Sequence, residues 1–310
     1  MNKIKVAAVQ MNAKLGDIDA NMKKAEGLIE EAFSEGAKWV IVPEFFTTAM
    51  AYHPSLLKGS LPFEGPALKM LRDLAMKHDG FVGGSFVASK DGDCYNTFVL
   101  AMPDGSYATH DKDQPTMWEN CYYVGGGDDG IIDTPDARVG VAMCWEFVRS
   151  RTPKRLIGKI DLLVGGSCWW TVPRLPILKR YLQNLDNRNL EIMIDTPSRM
   201  LGVPVIHAAH AGDLDGDFPL LPGIPYLSFY LGETQIVDAD GNILARLKRE
   251  DGDGIITAEL ELGSRNPTEE IPRKFWIPRL PLFFRIAWMY MNLHGRSYYK
   301  RAKRDGKLMM

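Results

Sequence analysis

Residues 1–42 constrain the fold most. Residues 4–10 form a largely apolar run, and residues 39–42 form a second one. Between them Met22, Ala25, Leu28, Ile29, Ala32 and Phe33 recur at helical spacing, with Asp19 as the expected cap and Gly36 as the stop. Strand, helix and strand in that order predict neighbouring strands in one sheet, covered by the helix.

The rest of the chain repeats this alternation without an internal repeat. A helix is predicted over 67–79 and a strand over 81–87. Residues 95–101 and 107–111 read as a hairpin around Pro103-Asp-Gly-Ser106. Strands at 138–143 and 162–165 flank a helix at 152–158. A helix follows over 174–199, with a break at Pro197. Further strands are predicted at 203–207 and 254–260, and a hairpin joins 234–239 to 243–247 across Asp240-Gly-Asn242. Two hairpins require antiparallel pairs, so the expectation is an α/β layered sandwich and not a purely parallel sheet.

Composition narrows the class. With 45% hydrophobic and 25% charged residues, the 310-residue chain can bury an ordinary globular core. A net charge of −2 argues against a general nucleic-acid binder. No apolar leader precedes the first strand, so no signal peptide is expected, and no run of about 18 apolar residues suits a membrane span. The four cysteines are scattered and form no C-x-x-C pair, which predicts reduced thiols in a cytoplasmic protein and no metal site.

Three reactive side chains follow extended runs: Glu44, Lys112 and Cys144. Each alone has an ordinary explanation. Free cysteine is among the most buried residue types, and a Glu or Lys after a strand is usually a solvated loop residue. Together they can perform acyl transfer. Cys144 would attack an electrophilic carbon, Glu44 would take the thiol proton and return it to the leaving nitrogen, and Lys112 with the backbone N–H of Trp145 would stabilise the developing anion.

At these residues the sequence resembles the nitrilase, or carbon–nitrogen hydrolase, superfamily. Pro43-Glu44 is similar to its catalytic-glutamate motif. Lys112-Asp-Gln-Pro-Thr-Met-Trp-Glu119 carries the K-x-x-P-T-x-x-E pattern, after Asn96-Thr97 and Pro103-Asp-Gly105. Cys144-Trp-Glu146 resembles the C-W-E of the nitrilase branch, and 232–241 resembles its late hairpin. The resemblance runs from Val6 to about Leu262. It implies an α-β-β-α sandwich, a Glu44–Lys112–Cys144 triad, no cofactor, and Glu119 as a second active-site carboxylate positioning Lys112 or the substrate. After the nucleophile the chain departs from the branch pattern: Phe147-Val-Arg149 stands where a His and Pro-Leu are usual. That departure weakens nitrile hydrolysis relative to amide hydrolysis.

Trp169 and Trp170, on the strand after the nucleophile, are read as a pocket wall or as core, and Glu146 as a pocket residue. Cys168 is read as a bystander. His207 and His210 lack a third ligand, so no metal is expected there. Asp213-Leu-Asp-Gly-Asp217 lacks EF-hand spacing and is read as a solvated loop near the pocket mouth.

Residues 271–310 hold ten Lys/Arg against Asp305, a charge of +9 beside −11 for the remainder. The expected division is a catalytic domain over 1–270 and a basic, aromatic C-terminal extension over 271–310. Two readings of the extension stay open: an interface in a homodimer or larger homo-oligomer, or a peripheral contact with the inner face of the membrane. The function expected is a thiol hydrolase of small amides or nitriles that passes through a Cys thioester. An N-acyltransferase using the same acyl-enzyme and a catalytically silent binding or scaffold protein are the alternatives.

Overall fold

The computed structural model describes residues 3–171, 193–219, 221–273 and 282–308. In chain order the strands are β1 (Lys3–Met11), β2 (Trp39–Ile41), β3 (Leu61–Pro62), β4 (Phe81–Lys90), β5 (Asp93–Ala101), β6 (Tyr107–Asp111), β7 (Ile131–Asp133), β8 (Arg138–Met143), β9 (Leu162–Ser167), β10 (Val205–Phe218), β11 (Leu221–Val237), β12 (Ile243–Lys248) and β13 (Gly254–Glu261). The α-helices are α1 (Ile18–Ser34), α2 (Pro66–His78), α3 (Arg151–Leu156), α4 (Asp195–Leu201) and α5 (Leu282–Arg304).

Strand order runs β6-β5-β4-β2-β1-β10-β9-β8-β7, with β13 on β1 and β12 on β11, which pairs β10. Among the described residues β1 pairs with β10 only at Gln10 opposite Ala209 and Met11 opposite His210, which joins the two halves of this order edge to edge. β1 otherwise lies between β2, parallel, and β13, antiparallel.

Side-chain alternation creates the layers. From β1, Val6 and Ala8 point into the same core as Val139, Val141 and Met143 of β8 and Leu162 and Val164 of β9. This is the space between the two sheets. The alternate residues Ala7 and Val9 face the core under α1 and α2, while Ala142 and Leu163 face a third core that includes Leu156 of α3 and Leu201 of α4. Both faces of these strands are buried, which is why they read as unbroken apolar runs. The result is the α-β-β-α sandwich.

Several local expectations shift. Asp17, not Asp19, caps α1; its side chain accepts from the Ala20 N–H. Pro197 does not break α4 but sits in its first turn, where a missing N–H costs no helical bond; residues 174–192 of that predicted helix lie outside the described residues. Asp213–Asp217 is not a loop. It belongs to β10, which pairs with β11 as a long hairpin. The acidic alternation was itself a strand signature: Leu214 is buried while Asp215 is exposed.

Within 271–310, α5 is the described element. Its Met291, Tyr299 and Ala302 are buried, and the Tyr299 hydroxyl donates to Asp93 Oδ1 at 2.9 Å while accepting from the Cys94 N–H. No described helix is long and apolar enough to cross a membrane.

Candidate active site

Glu44, Lys112 and Cys144 lie just past β2, β6 and β8, and the sheet order brings these strand ends together. Gly166 at the end of β9 makes room for this. A Cβ there would stand 2.6 Å from the Glu44 backbone N, so only glycine lets the Glu44 segment approach. His210 on β10 donates from Nε2 to the Glu44 carbonyl at 2.8 Å and braces the same segment.

All three side chains are buried. Lys112 Nζ donates at 2.8 Å to Glu44 Oε1 and at 2.8 Å to Glu119 Oε2. Glu44 Oε1 also accepts from Asn96 Nδ2 at 2.9 Å, and Oε2 accepts from the Cys168 backbone N–H at 3.1 Å. Glu119 Oε2 accepts further from the Thr116 N–H and from the Tyr123 hydroxyl. One carboxylate oxygen each of Glu44 and Glu119 and the Cys144 sulfur lie within 4.8 Å of one another.

The electrostatics follow from burial. Glu44 is pushed up to about 7, mainly by desolvation and further by the Glu119 charge, with Lys112 opposing. Burial alone would lower Lys112, but the Glu119 and Glu44 carboxylates overcome it and hold the ammonium well above its ordinary value. The Cys144 thiol is pushed far up by burial and by the Glu44 charge. The resting site therefore holds a neutral thiol beside a carboxyl group poised near neutrality.

Cys144 opens the 3₁₀ turn Cys144–Val148 with φ 49°. A left-handed non-glycine residue at a strand-to-turn junction is strained and aims its side chain off the sheet end. Phe45 (φ 55°), beside Glu44, and Met117 (φ 51°), near Glu119, share this conformation. Three of the seven left-handed non-glycine residues among those described thus lie on the loops that carry the cluster.

Glu146 lies behind the thiol. Its Oε2 accepts from the Met143 N–H at 2.9 Å, its Oε1 accepts from the Asp113 N–H at 3.1 Å, and His110 Nε2 donates at 3.2 Å. His110 Nδ1 in turn pairs with Asp128. Burial would lower His110, but Glu146 and Asp128 raise it to about 10. Glu146 is desolvated too, yet the His110 charge holds it well below the carboxylate range. This buried ion pair ties the strand end of Lys112 to that of Cys144.

The tryptophans diverge. Trp169 joins the outer core and meets Trp145 edge-on at 5.9 Å, while Trp170 stacks on Trp118 at 4.1 Å. Trp145 also meets Trp288 of α5 edge-on at 4.6 Å. His207 and His210 do not converge on a metal position. His207 is held by Ser167 Oγ and the Glu233 carbonyl, His210 by the Met11 and Glu44 carbonyls. Among the described residues, the one group with converging ligand atoms is Glu44, Glu119 and Cys144, and the cation between its two carboxylates is Lys112. The sequence reading assigned no part to His110, Tyr123 or Asp128; the one sequence cue was a histidine two residues before Lys112 on an otherwise ordinary strand.

The Carbon-nitrogen hydrolase family profile matches residues 5–155, a stretch that contains Glu44, Lys112, Glu119 and Cys144. Nitrilase 2 of Arabidopsis thaliana is 26% identical over 296 residues, covering 84% of this chain and 81% of that protein. The 2-oxoglutaramate amidase of Bacillus subtilis is 26% identical over 280 residues, covering 86% and 95%. Among solved structures, the carbon-nitrogen hydrolase from Helicobacter pylori G27 shares the fold with a TM-score of 0.69 at 19% identity, over 83% of this chain and 89% of that one. Fold, family profile and relatives all support a carbon–nitrogen hydrolase of the nitrilase superfamily, the profile through residues 5–155 and the relatives through more than four fifths of the chain.

Proposed function

We propose that the enzyme hydrolyses the C–N bond of a small amide to a carboxylic acid and ammonia, with Cys144 as nucleophile, Glu44 as general base and acid, and Lys112 as anion stabiliser. The observation that carries this is the Glu44 carboxyl group, poised at about 7 within a few ångströms of a neutral, buried thiol. A group near operating pH can both take and return a proton.

The thiol proton passes to Glu44 as sulfur bonds the carbonyl carbon. The resulting oxyanion is met by the Lys112 ammonium and the Trp145 backbone N–H, in a buried site where such donors act strongly. The C–N bond then breaks, and Glu44 gives its proton to the departing ammonia. Water adds to the thioester, losing a proton to Glu44. The intermediate collapses to the acid, and sulfur recovers the proton. Glu119 fixes Lys112 by its Oε2, while its buried Oε1 has no partner among the described residues and is available to a substrate N–H.

An amide is favoured over a nitrile by the sequence after the nucleophile. Arg149, where the nitrilase branch has another pattern, is bound to Asp113 and anchors that loop. The test is an ammonia-release screen over amides and the nitriles with the same carbon skeletons. Turnover of amides, lost in Cys144→Ala, is expected. Consumption of nitriles with inert amides would overturn the amide assignment.

A further inference from the structure

We infer that the cleft between α5 and the loops following Lys112 and Cys144 binds the anionic end of the substrate, a phosphate or a pair of carboxylates. This rests on the hydrolase reading above and extends it to a substrate class.

The cleft has a volume of about 1090 Å³, enough for a small molecule. One wall is α5, with Arg285, Trp288, Arg296 and Lys300; the opposite wall carries Arg149 and Arg151. Among the described residues five cations thus face one carboxylate, Asp113, and Arg149 already takes it. Arg151, Arg285, Arg296 and Lys300 have no ion pair among the described residues. Another large cleft, of about 1030 Å³, shows the ordinary arrangement: both signs line it, with Lys69 on Asp73 and Lys77 on Glu30. Unpaired like charges around a concave surface repel one another and raise the local concentration of anions. A bound anion relieves this repulsion, and guanidinium groups match phosphate and carboxylate oxygens in pairs.

The cleft adjoins the catalytic cluster from two sides. Tyr123 lines it, and its hydroxyl donates to the Glu119 oxygen that holds Lys112. Trp288 lines it and packs against Trp145, the residue after the nucleophile. A ligand whose charged end sits among the arginines, with its stem along Trp288, would extend toward the thiol.

Lipid headgroups share this chemistry, and Ile286, Met289, Tyr290 and Leu293 of α5 are exposed on an adjacent sector of the helix. The experiment therefore has separate arms. Titration calorimetry of the full chain with inorganic pyrophosphate should give saturable binding that weakens as salt rises. Arg285→Gln/Arg296→Gln, checked for an unchanged circular dichroism spectrum, should weaken it by about tenfold or more. In kinetics the same variant should raise KM for an amide bearing a distal phosphate or dicarboxylate by about tenfold, and leave a neutral amide within about twofold. Equal pyrophosphate binding by wild type and variant would overturn the proposal. So would binding seen only with phosphatidylglycerol vesicles, which would assign the cations to a membrane surface. If no amide is hydrolysed at all, the hydrolase reading fails by itself, while the pyrophosphate titration still decides whether the cleft holds anions.

Discussion

Lys112 Nζ stands 2.8 Å from Glu44 Oε1, with both side chains fully buried. The ammonium is shared with Glu119, so one cation serves two desolvated carboxylates. Removing it leaves both uncompensated, and breaking a buried pair in this way costs about 3–5 kcal/mol. Lys112→Met should therefore unfold at markedly lower urea and lose about 10²–10³ in kcat, as when an oxyanion donor is removed. Lys112→Arg should not restore activity, because the planar fork cannot take the place of a compact ammonium between two fixed carboxylates. A Lys112→Met protein as stable as wild type would mean that Glu44 and Glu119 do not bear two charges.

The raised Glu44 group sets a pH profile. As the proposed base it must be ionised in the free enzyme, so kcat/KM should climb with pH to a half-maximum near 7. Glu44→Gln should lose about 10²–10⁴ in activity and flatten that limb. Stability moves the opposite way. The folded value lies above 4.5, its ordinary value, so the native state binds more protons, and the contribution of Glu44 to stability falls between about pH 4.5 and 7. Urea unfolding of wild type and Glu44→Gln at pH 5 and 8 should show the variant gaining relative stability at pH 8.

His110 gives a signature of the same sign in a higher pH window. The histidine is raised from 6.5 to about 10, so its contribution is fully present below pH 6.5 and is lost as pH rises through about 10. The stability gap between wild type and His110→Gln should be widest near pH 6 and narrow toward pH 10. Because Glu146 holds the Met143 N–H immediately before Cys144, the proposed nucleophile, the variant should also lower kcat more than it raises KM. A gap independent of pH would show that the histidine is neutral in the native protein.

What could be read from the chain follows from the range of each interaction. β1, α1 and β2 were legible because their apolar periodicities are local, and Glu44, Lys112 and Cys144 because each directly follows such a run. The supports of the cluster were not. Asn96 reaches Glu44 across 52 positions and His110 reaches Glu146 across 36, and nothing in either neighbourhood announces the partner. The acidic residues of β10 misled for a different reason. Charge suggested solvent, and solvent suggested loop, yet a hairpin with one wet face satisfies the same pattern.

The docking of α5 ties the C-terminal helix to the turn that carries Glu119 through a close approach at Gly295. Gly295 lies against the turn Met117–Cys121, which carries Glu119, and a Cβ there would stand 2.6 Å from Asn120 Cβ and 3.1 Å from its carbonyl carbon. Asn120 Nδ2 also donates to Asn292 Oδ1 at 3.1 Å, so turn and helix hold each other in register. Gly295→Val cannot be accommodated without moving α5 outward or displacing the turn. Overpacking of this kind costs about 1–3 kcal/mol. The first response loosens the Tyr299 bonds to Asp93 and Cys94, and the second shifts Glu119 from Lys112. Gly295→Val should accordingly lower Tm and reduce kcat, with Gly295→Ala intermediate, although Gly295 touches none of the reacting atoms. Unchanged kcat beside a lowered Tm would separate the two responses and show that the helix yields while the catalytic turn holds.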